Sequence, residues 1–329
     1  MSKIKQRVLS GIQPSGNLHL GNYFGMMSKM IDYQEKNDLF CFIADYHALT
    51  SNPSPKILSL NTFNAVCDFL ALGLNPDKTT FWVQSDVPEV TELSWILSSQ
   101  TSVGLMDRST TYKDKIAKGL KSNMGLYSYP ILMAADILLF NSNLVPVGKD
   151  QKQHIEMARD IAKRFNTRYG DVFTLPEPDI VEETQIIPGV DGQKMSKSYN
   201  NTIPIFGKNK EIRKKIMSII TDNASINKPK NKNTPLFHLY CLFAEKSEQQ
   251  ILSEKYDAPG LRYGDIKLEL FEKIMDYFAP YREKRAMLQS NPDDIKDILI
   301  QGAKKAKNEA LEVLDKVRSC VGFSFNFEF

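Results

Sequence analysis

Short apolar runs alternate with helical periods over the first two-thirds of the chain, and this limits its possible folds more than any other feature. Residues 8–12 are a run of strand length that stops at Pro14-Ser15-Gly16. Helical spacing starts near Gly21 and puts Tyr23, Phe24, Met27, Met30 and Ile31 on one face. Residues 39–44 (LFCFIA), 79–84 (TTFWVQ) and 144–147 have the length and apolarity of buried strands. Between them, Ser54-Pro55 reads as an N-cap followed by proline at the first helical position, with the helix running to Gly73. A further helix is predicted over 149–164. Buried strands separated by helices imply a parallel sheet covered on both faces, a doubly wound α/β domain of Rossmann type.

The pattern changes after Pro188. Gly189, Gly192, Asn200, Asn201 and Pro204 mark a loop, and residues 208–294 carry helical periods with little strand signal. A last helix is predicted over 293–317. The expected organisation is an α/β domain over 1–188, a mobile loop over 189–202, a smaller all-helical domain over 203–292, and a C-terminal helix over 293–329 that returns to the first domain. With 329 residues, 42% of them hydrophobic and 25% charged, the chain can build a large core and is not disordered as a whole. It has no uninterrupted apolar stretch of membrane-spanning length and no signal-peptide pattern. Cys41, Cys67, Cys241 and Cys320 are too scattered for a disulfide framework or a zinc site, so no metal ligands are expected and a cytoplasmic protein fits best. The net charge of +3 announces no partner. Residues 208–232, however, hold eight Lys or Arg against two acids, and read either as a solvated surface or as a phosphate-facing patch.

Two strings carry chemistry. Pro14-Ser15-Gly16-Asn17-Leu18-His19-Leu20-Gly21-Asn22 lies between the first strand and the first helix, the crevice position of a doubly wound sheet. Small residues there let backbone approach a ligand, and His19 and Asn22 supply polar donors one turn apart at a helix start suited to phosphates. Taken alone, such a loop is equally a tight turn. Lys194-Met195-Ser196-Lys197-Ser198 places two ammonium groups around small donors, a clamp able to neutralise charge on a departing polyphosphate. A third signal is Asp136, a lone carboxylate in an apolar run, sharing a helix face with Tyr129 and Met133 at i, i+4 and i+7. It reads either as an N-cap or partnered core carboxylate, with the mid-run position arguing against the cap, or as a buried acceptor for a ligand.

The two strings resemble the HIGH and KMSKS signatures of class I aminoacyl-tRNA synthetases. Gly11-Ile12-Gln13-Pro14-Ser15-Gly16, residues 45–50 (DYHALT), 133–139 (MAADILL), 145–156 (VPVGKDQKQHIE) and 302–306 (GAKKA) resemble blocks of the tryptophan-specific, bacterial-type branch, in order and over nearly the whole chain. The resemblance implies a tryptophan–tRNA ligase that forms tryptophanyl-AMP from tryptophan and ATP, with Mg²⁺ on the phosphates. The tryptophanyl group then passes to the 3′ end of tRNA(Trp). It implies an ATP site of Gln13, Pro14, Ser15, Gly21, Asn22, Gly148, Lys149, Asp150, Ile186 and the Lys194–Ser198 string. His19, Asn22, Lys194 and Lys197 would be catalytic, joined by Lys115 in preference to Lys113. The tryptophan pocket would comprise Asp136, Tyr129, Met133, Gln151, Leu9 and His47. The helical domain would read the anticodon, and the chain would form a homodimer. Asn22 stands where the family string has its second histidine, which favours hydrogen-bond donation there over proton transfer.

The tyrosine-specific sister resembles this chain in fold and carries a similar carboxylate, but it adds a hydroxyl from the first strand where this chain has Leu9. A small-molecule nucleotidyltransferase would share the phosphate loop, and a non-enzymatic RNA-binding module would need neither string.

Overall fold

The computed structural model describes residues 5–117, 119, 121–148, 151–180 and 187–323. The side chains of residues 110, 111, 114 and 115 are not described. In chain order the first elements are β1 (Arg7–Ile12), α1 (Leu20–Asn22), a π-helical turn (Tyr23–Met27), α2 (Ser28–Lys36), β2 (Asp38–Ile43), α3 (Asp45–Ala48) and α4 (Pro55–Ala71). Next come β3 (Thr79–Val83), α5 (Glu89–Gln100), α6 (Val103–Met106), α7 (Thr110–Ala117), α8 (Met124–Leu139) and β4 (Leu144–Val147). They are followed by α9 (Lys152–Tyr169), β5 (Glu177–Ile180), α10 (Asn209–Met217), α11 (Pro235–Cys241), α12 (Lys246–Asp257), α13 (Tyr263–Ser290) and α14 (Pro292–Val321).

The chain packs as two units: Met1–Gly16 with Met30–Glu182 and Asn291–Phe329, and Asn17–Lys29 with Glu183–Ser290. The first unit holds a parallel five-stranded sheet in the order β3-β2-β1-β4-β5. The strand order reverses between β1 and β4, so the crevice at their carboxyl ends is the expected ligand position. β2 and β3 are buried along most of their length, as strands covered on both faces must be. The Ser54 hydroxyl accepts from the Ile57 N–H, the N-cap read from Ser54-Pro55. The core gathers Leu9, Phe40, Trp82, Ile137, Phe140, Ile161 and Leu314. α14 lies directly on β3: a Cβ built on Gly302 would fall 1.8 Å from the Phe81 carbonyl oxygen. An Arg7 staple adds to this, pairing with Asp38 at 3.0 Å and Glu309 at 2.6 Å.

In the second unit, residues 17–29 are held by backbone bonds to a later segment. The Leu20 N–H donates to the Ile203 carbonyl and the Ile205 N–H to the Leu18 carbonyl, each near 3 Å. That pairing groups them with the helical part instead of the sheet they follow in sequence. Tyr23 and Phe24, on the π-helical turn, pack edge-on against Tyr277, Phe278 and Phe243.

The basic run at 208–232 does not behave as one patch. Lys230 is buried and donates to the Ala224 and Ser225 carbonyls at 2.7 Å. Lys232 pairs with Asp257, and Lys215 donates to Asn200. Lys208, Lys210, Arg213, Lys214 and Lys228 remain exposed.

Candidate active site

In the first unit, β1, β2 and β4 end on a cavity of about 300 Å³ lined by Leu9, Gln13, Phe42, Ala44, His47, Tyr129, Met133, Asp136, Val145, Val147, Gln151 and His154, among others. Its size is at the lower end of the range for small-molecule sites. Helix α8 brings Tyr129, Met133 and Asp136 to it from one face, as their spacing requires. All six residues expected to hold an amino acid line this cavity, and so does Gln13.

Asp136 is 2% exposed. Burial raises its carboxyl above the ordinary carboxylate range, while hydrogen bonds from His47 and Gln84 pull back toward ionisation. Gln84 Nε2 donates to both carboxylate oxygens, at 2.8 and 2.9 Å, and His47 Nε2 lies 2.9 Å from Oδ2. The Gln84 amide is itself oriented, because its oxygen accepts from the Tyr46 N–H at 3.1 Å. A carboxylate has about four acceptor positions. Among the described residues two contacts fall on Oδ2 and one on Oδ1, so Oδ1 keeps an acceptor position for a further donor. Gln84 was not picked out by sequence reasoning. Its only signal is a lone amide at the carboxyl end of a buried strand. His154, at the same wall, lies with Nε2 2.7 Å from the Tyr129 hydroxyl.

In the second unit, residues 19–22 of the first string meet the Lys194–Ser198 string. The Gly21 N–H points at the Met195 sulfur, 3.2 Å away, and Met195 is buried against Gly21. His19 is buried, and its pKa is lowered to about 4, first by burial and then by the Lys197 ammonium. It is therefore neutral near pH 7 and donates through one nitrogen only. Asn22 turns its side-chain oxygen back to the His19 N–H at 3.3 Å, which leaves the amide NH₂ as its donor end. The Lys194–Ser198 string follows a tight hairpin closed by the Pro188–Lys194 bridge, with Lys194 and Lys197 exposed. His19 and Lys197 also border a cleft with Lys214 and Lys215, tempered by Glu211.

Of the remaining expected residues, Pro14 is buried, Ser15 is exposed and Gly148 follows β4. Lys149, Asp150 and Ile186 lie outside the described residues, as does the Lys115 side chain, while Lys113 is exposed on α7.

Residues 1–279 match the family model for class I tRNA synthetases (W and Y). The tryptophan–tRNA ligase of Fusobacterium nucleatum is 52% identical over 322 residues, covering 98% of this chain and 99% of the relative. The Campylobacter jejuni tryptophanyl-tRNA synthetase, in a crystal structure complexed with ADP and tryptophan, is 49% identical with a TM-score of 0.94, covering 96% of this chain and all of that one. The Mycoplasma pneumoniae synthetase is 31% identical with a TM-score of 0.81, covering 98% of this chain and 99% of that one. Sequence, fold and the paired signature strings thus agree, and the chain belongs to the tryptophan branch of the class I tRNA synthetases as a tryptophan–tRNA ligase.

Proposed function

We propose that Asp136 selects tryptophan by accepting the indole N–H on Oδ1, inside the cavity of the first unit. The observation that carries this is the carboxylate's state: buried, fixed by Gln84 and His47, and with an acceptor position left on Oδ1. Leu9 and Met133 offer apolar faces to the ring, and Gln151 takes the amino-acid end. Leu9 supplies no second polar partner for a phenol, which favours an indole over the tyrosine side chain. The relative that carries ADP and tryptophan supports the same ligand pair here.

In the activation step a tryptophan carboxylate oxygen forms a bond to the α-phosphorus of ATP. The bond from that phosphorus to the bridging oxygen breaks, and pyrophosphate leaves with the electron pair. Lys194 and Lys197 neutralise the charge that grows on it. Neutral His19 and the Asn22 amide donate to phosphate oxygens, and neither needs to move a proton. Gln13, Pro14, Ser15, Gly21, Gly148, Lys149, Asp150, Ile186, Ser196, Ser198 and Lys115 are assigned to ATP by family resemblance. Mg²⁺ bound together with ATP would supply Lewis-acid stabilisation of phosphoryl charge. Among the described residues no group of three or more His, Cys, Asp or Glu is placed to hold a metal ion. The 3′-terminal ribose hydroxyl of tRNA(Trp) then attacks the activated carbonyl, the bond from that carbon to the phosphate oxygen breaks, and AMP leaves with the electron pair, its phosphate accepting the hydroxyl proton.

The exposed cations of the 208–232 run suit tRNA phosphates, and the unit that bears them suits anticodon reading. Family resemblance favours a homodimer, and Leu49, Ile57 and Leu60 are exposed apolar side chains that a second copy of the chain could cover. No helix among the described residues is long and apolar enough to cross a membrane, and we place the enzyme in the cytoplasm.

ATP–pyrophosphate exchange tests the reading. The wild-type protein should exchange with tryptophan and not with tyrosine. Lys197→Ala should slow exchange by about 10²-fold or more while leaving tryptophan affinity nearly unchanged, because the charge it meets develops in the transition state. Equal losses of rate and tryptophan affinity would refute the clamp, and exchange with tyrosine would refute the pocket.

A further inference from the structure

We infer that Asn201 is the positioning residue that holds the Lys194–Ser198 string in its working shape, an inference that rests on Lys194 and Lys197 acting on the departing pyrophosphate. Asn201 is 1% exposed. Its side-chain oxygen accepts from the Ser196 N–H at 2.8 Å. Its amide nitrogen donates to the Lys194 carbonyl at 3.1 Å and to the Asp191 carboxylate at 2.7 Å. One planar group therefore ties together both sides of Met195 and the turn that precedes the string. A buried planar group with one acceptor and two donors is what this spot demands, and an asparagine amide supplies all three.

The surroundings are shaped to the same end. A Cβ on Gly189 would lie 2.3 Å from the Asn201 amide carbon and nitrogen, so only glycine leaves room for that amide. Asp191 Oδ1 also accepts from the Gln193 N–H at 3.1 Å, which fixes the carboxylate that Asn201 meets. On the far side, Lys215 Nζ donates to the Asn200 carbonyl at 2.8 Å and to its side-chain oxygen at 3.2 Å. Asn200 adopts the left-handed conformation, φ 51°, at the end of the short turn over Lys197–Tyr199. Backbone is thus pinned at 194, 196 and 200, while the two lysine side chains stay exposed. Pinned backbone reduces what must be ordered when the ammonium groups meet the leaving group, and that saving appears in rate more than in ground-state binding.

The test is single-turnover formation of tryptophanyl-AMP by the full chain, with tryptophan affinity measured alongside. Asn201→Asp keeps size and the acceptor, loses both donors and sets a second carboxylate beside Asp191. It should cut the rate by about 10²-fold and change tryptophan affinity by less than about 2-fold. In a Lys194→Ala/Lys197→Ala background the same change should cost less than about 5-fold, since the charges it positions are gone. Adding Asp191→Asn to Asn201→Asp restores a donor at the contact and should recover part of the rate. If Asn201→Asp lowers the folded fraction, Asp191→Ala removes only the outer partner and should give a smaller loss, about 5-fold. Equal losses in both backgrounds, or a wild-type rate in Asn201→Asp beside slow lysine variants, would overturn the inference alone. A wild-type rate in Lys194→Ala/Lys197→Ala would remove the clamp, and the inference with it.

Discussion

A carboxylate in an apolar wall is costly unless every contact is accounted for, and Asp136 shows how the cost is met. Gln84 and His47 bind it, Tyr46 orients Gln84, and Oδ1 keeps an acceptor position. His19 illustrates the opposite charge logic. Its folded pKa, about 4, lies below the ordinary 6.5 because burial and Lys197 both disfavour the imidazolium. Between those two values the unfolded chain binds more protons than the native one, so stability rises with pH through this window and falls on acidification. His19→Gln should remove up to about 3 kcal/mol of that pH-dependent loss between pH 6.5 and 4. Urea unfolding of both proteins across this range checks it, and parallel curves would contradict it. Asp136 was legible in the sequence because a charge in the apolar run 131–140 stands out. Gln84 was not, because a lone amide at a strand end has no periodicity, and its partner lies 52 residues away.

At the scale of elements, α14 is the part most open to test. Its approach to β3 is backbone against backbone at Gly302, where flexible side chains cannot yield. In an ordinary helix Gly→Ala stabilises by about 1 kcal/mol. Here Gly302→Ala should instead destabilise by about 2 kcal/mol or more, because the added methyl would overlap the Phe81 carbonyl. A lowered midpoint in chemical denaturation checks the sign, and a raised one would show that α14 does not sit this closely. Four of the five strands, the Ser54 cap and the shared face of α8 followed from period and residue type alone; β5, with the sequence EPDI, has no apolar run to mark it. Small shifts appear at the ends: the helix read over 149–164 is Lys152–Tyr169, and the one read over 293–317 is Pro292–Val321. The π-helical turn at Tyr23–Met27 could not be read, since its apolar residues fit a 3.6-residue period about as well.

On the scale of the whole molecule, long-range pairing decides what local patterns cannot. Residues 17–29 follow β1 in sequence yet pack with the second unit, because their backbone partners are Ile203, Pro204 and Ile205. The run at 208–232 looked uniform by charge, but Lys230 serves the fold of its own loop. The second unit therefore carries His19–Asn22 and the Lys194–Ser198 string, and the first carries the cavity lined by Asp136. The first unit also leaves Leu49, Ile57 and Leu60 uncovered, 50–55% exposed. Sedimentation equilibrium at micromolar concentration should give a dimer, and Leu60→Lys should shift it toward monomer. A monomeric wild-type protein, or an unaffected variant, would count against that face as the interface.

The central claim is that the Asp136 carboxylate chooses the amino acid by its indole N–H. The most direct measurement compares the affinity of L-tryptophan with that of its benzothiophene analogue, which keeps the shape but lacks the N–H, in wild-type protein and in Asp136→Ala. The wild-type protein should favour tryptophan by about 10²-fold or more, and the variant should lose most of that preference. The same preference in both proteins would contradict the claim.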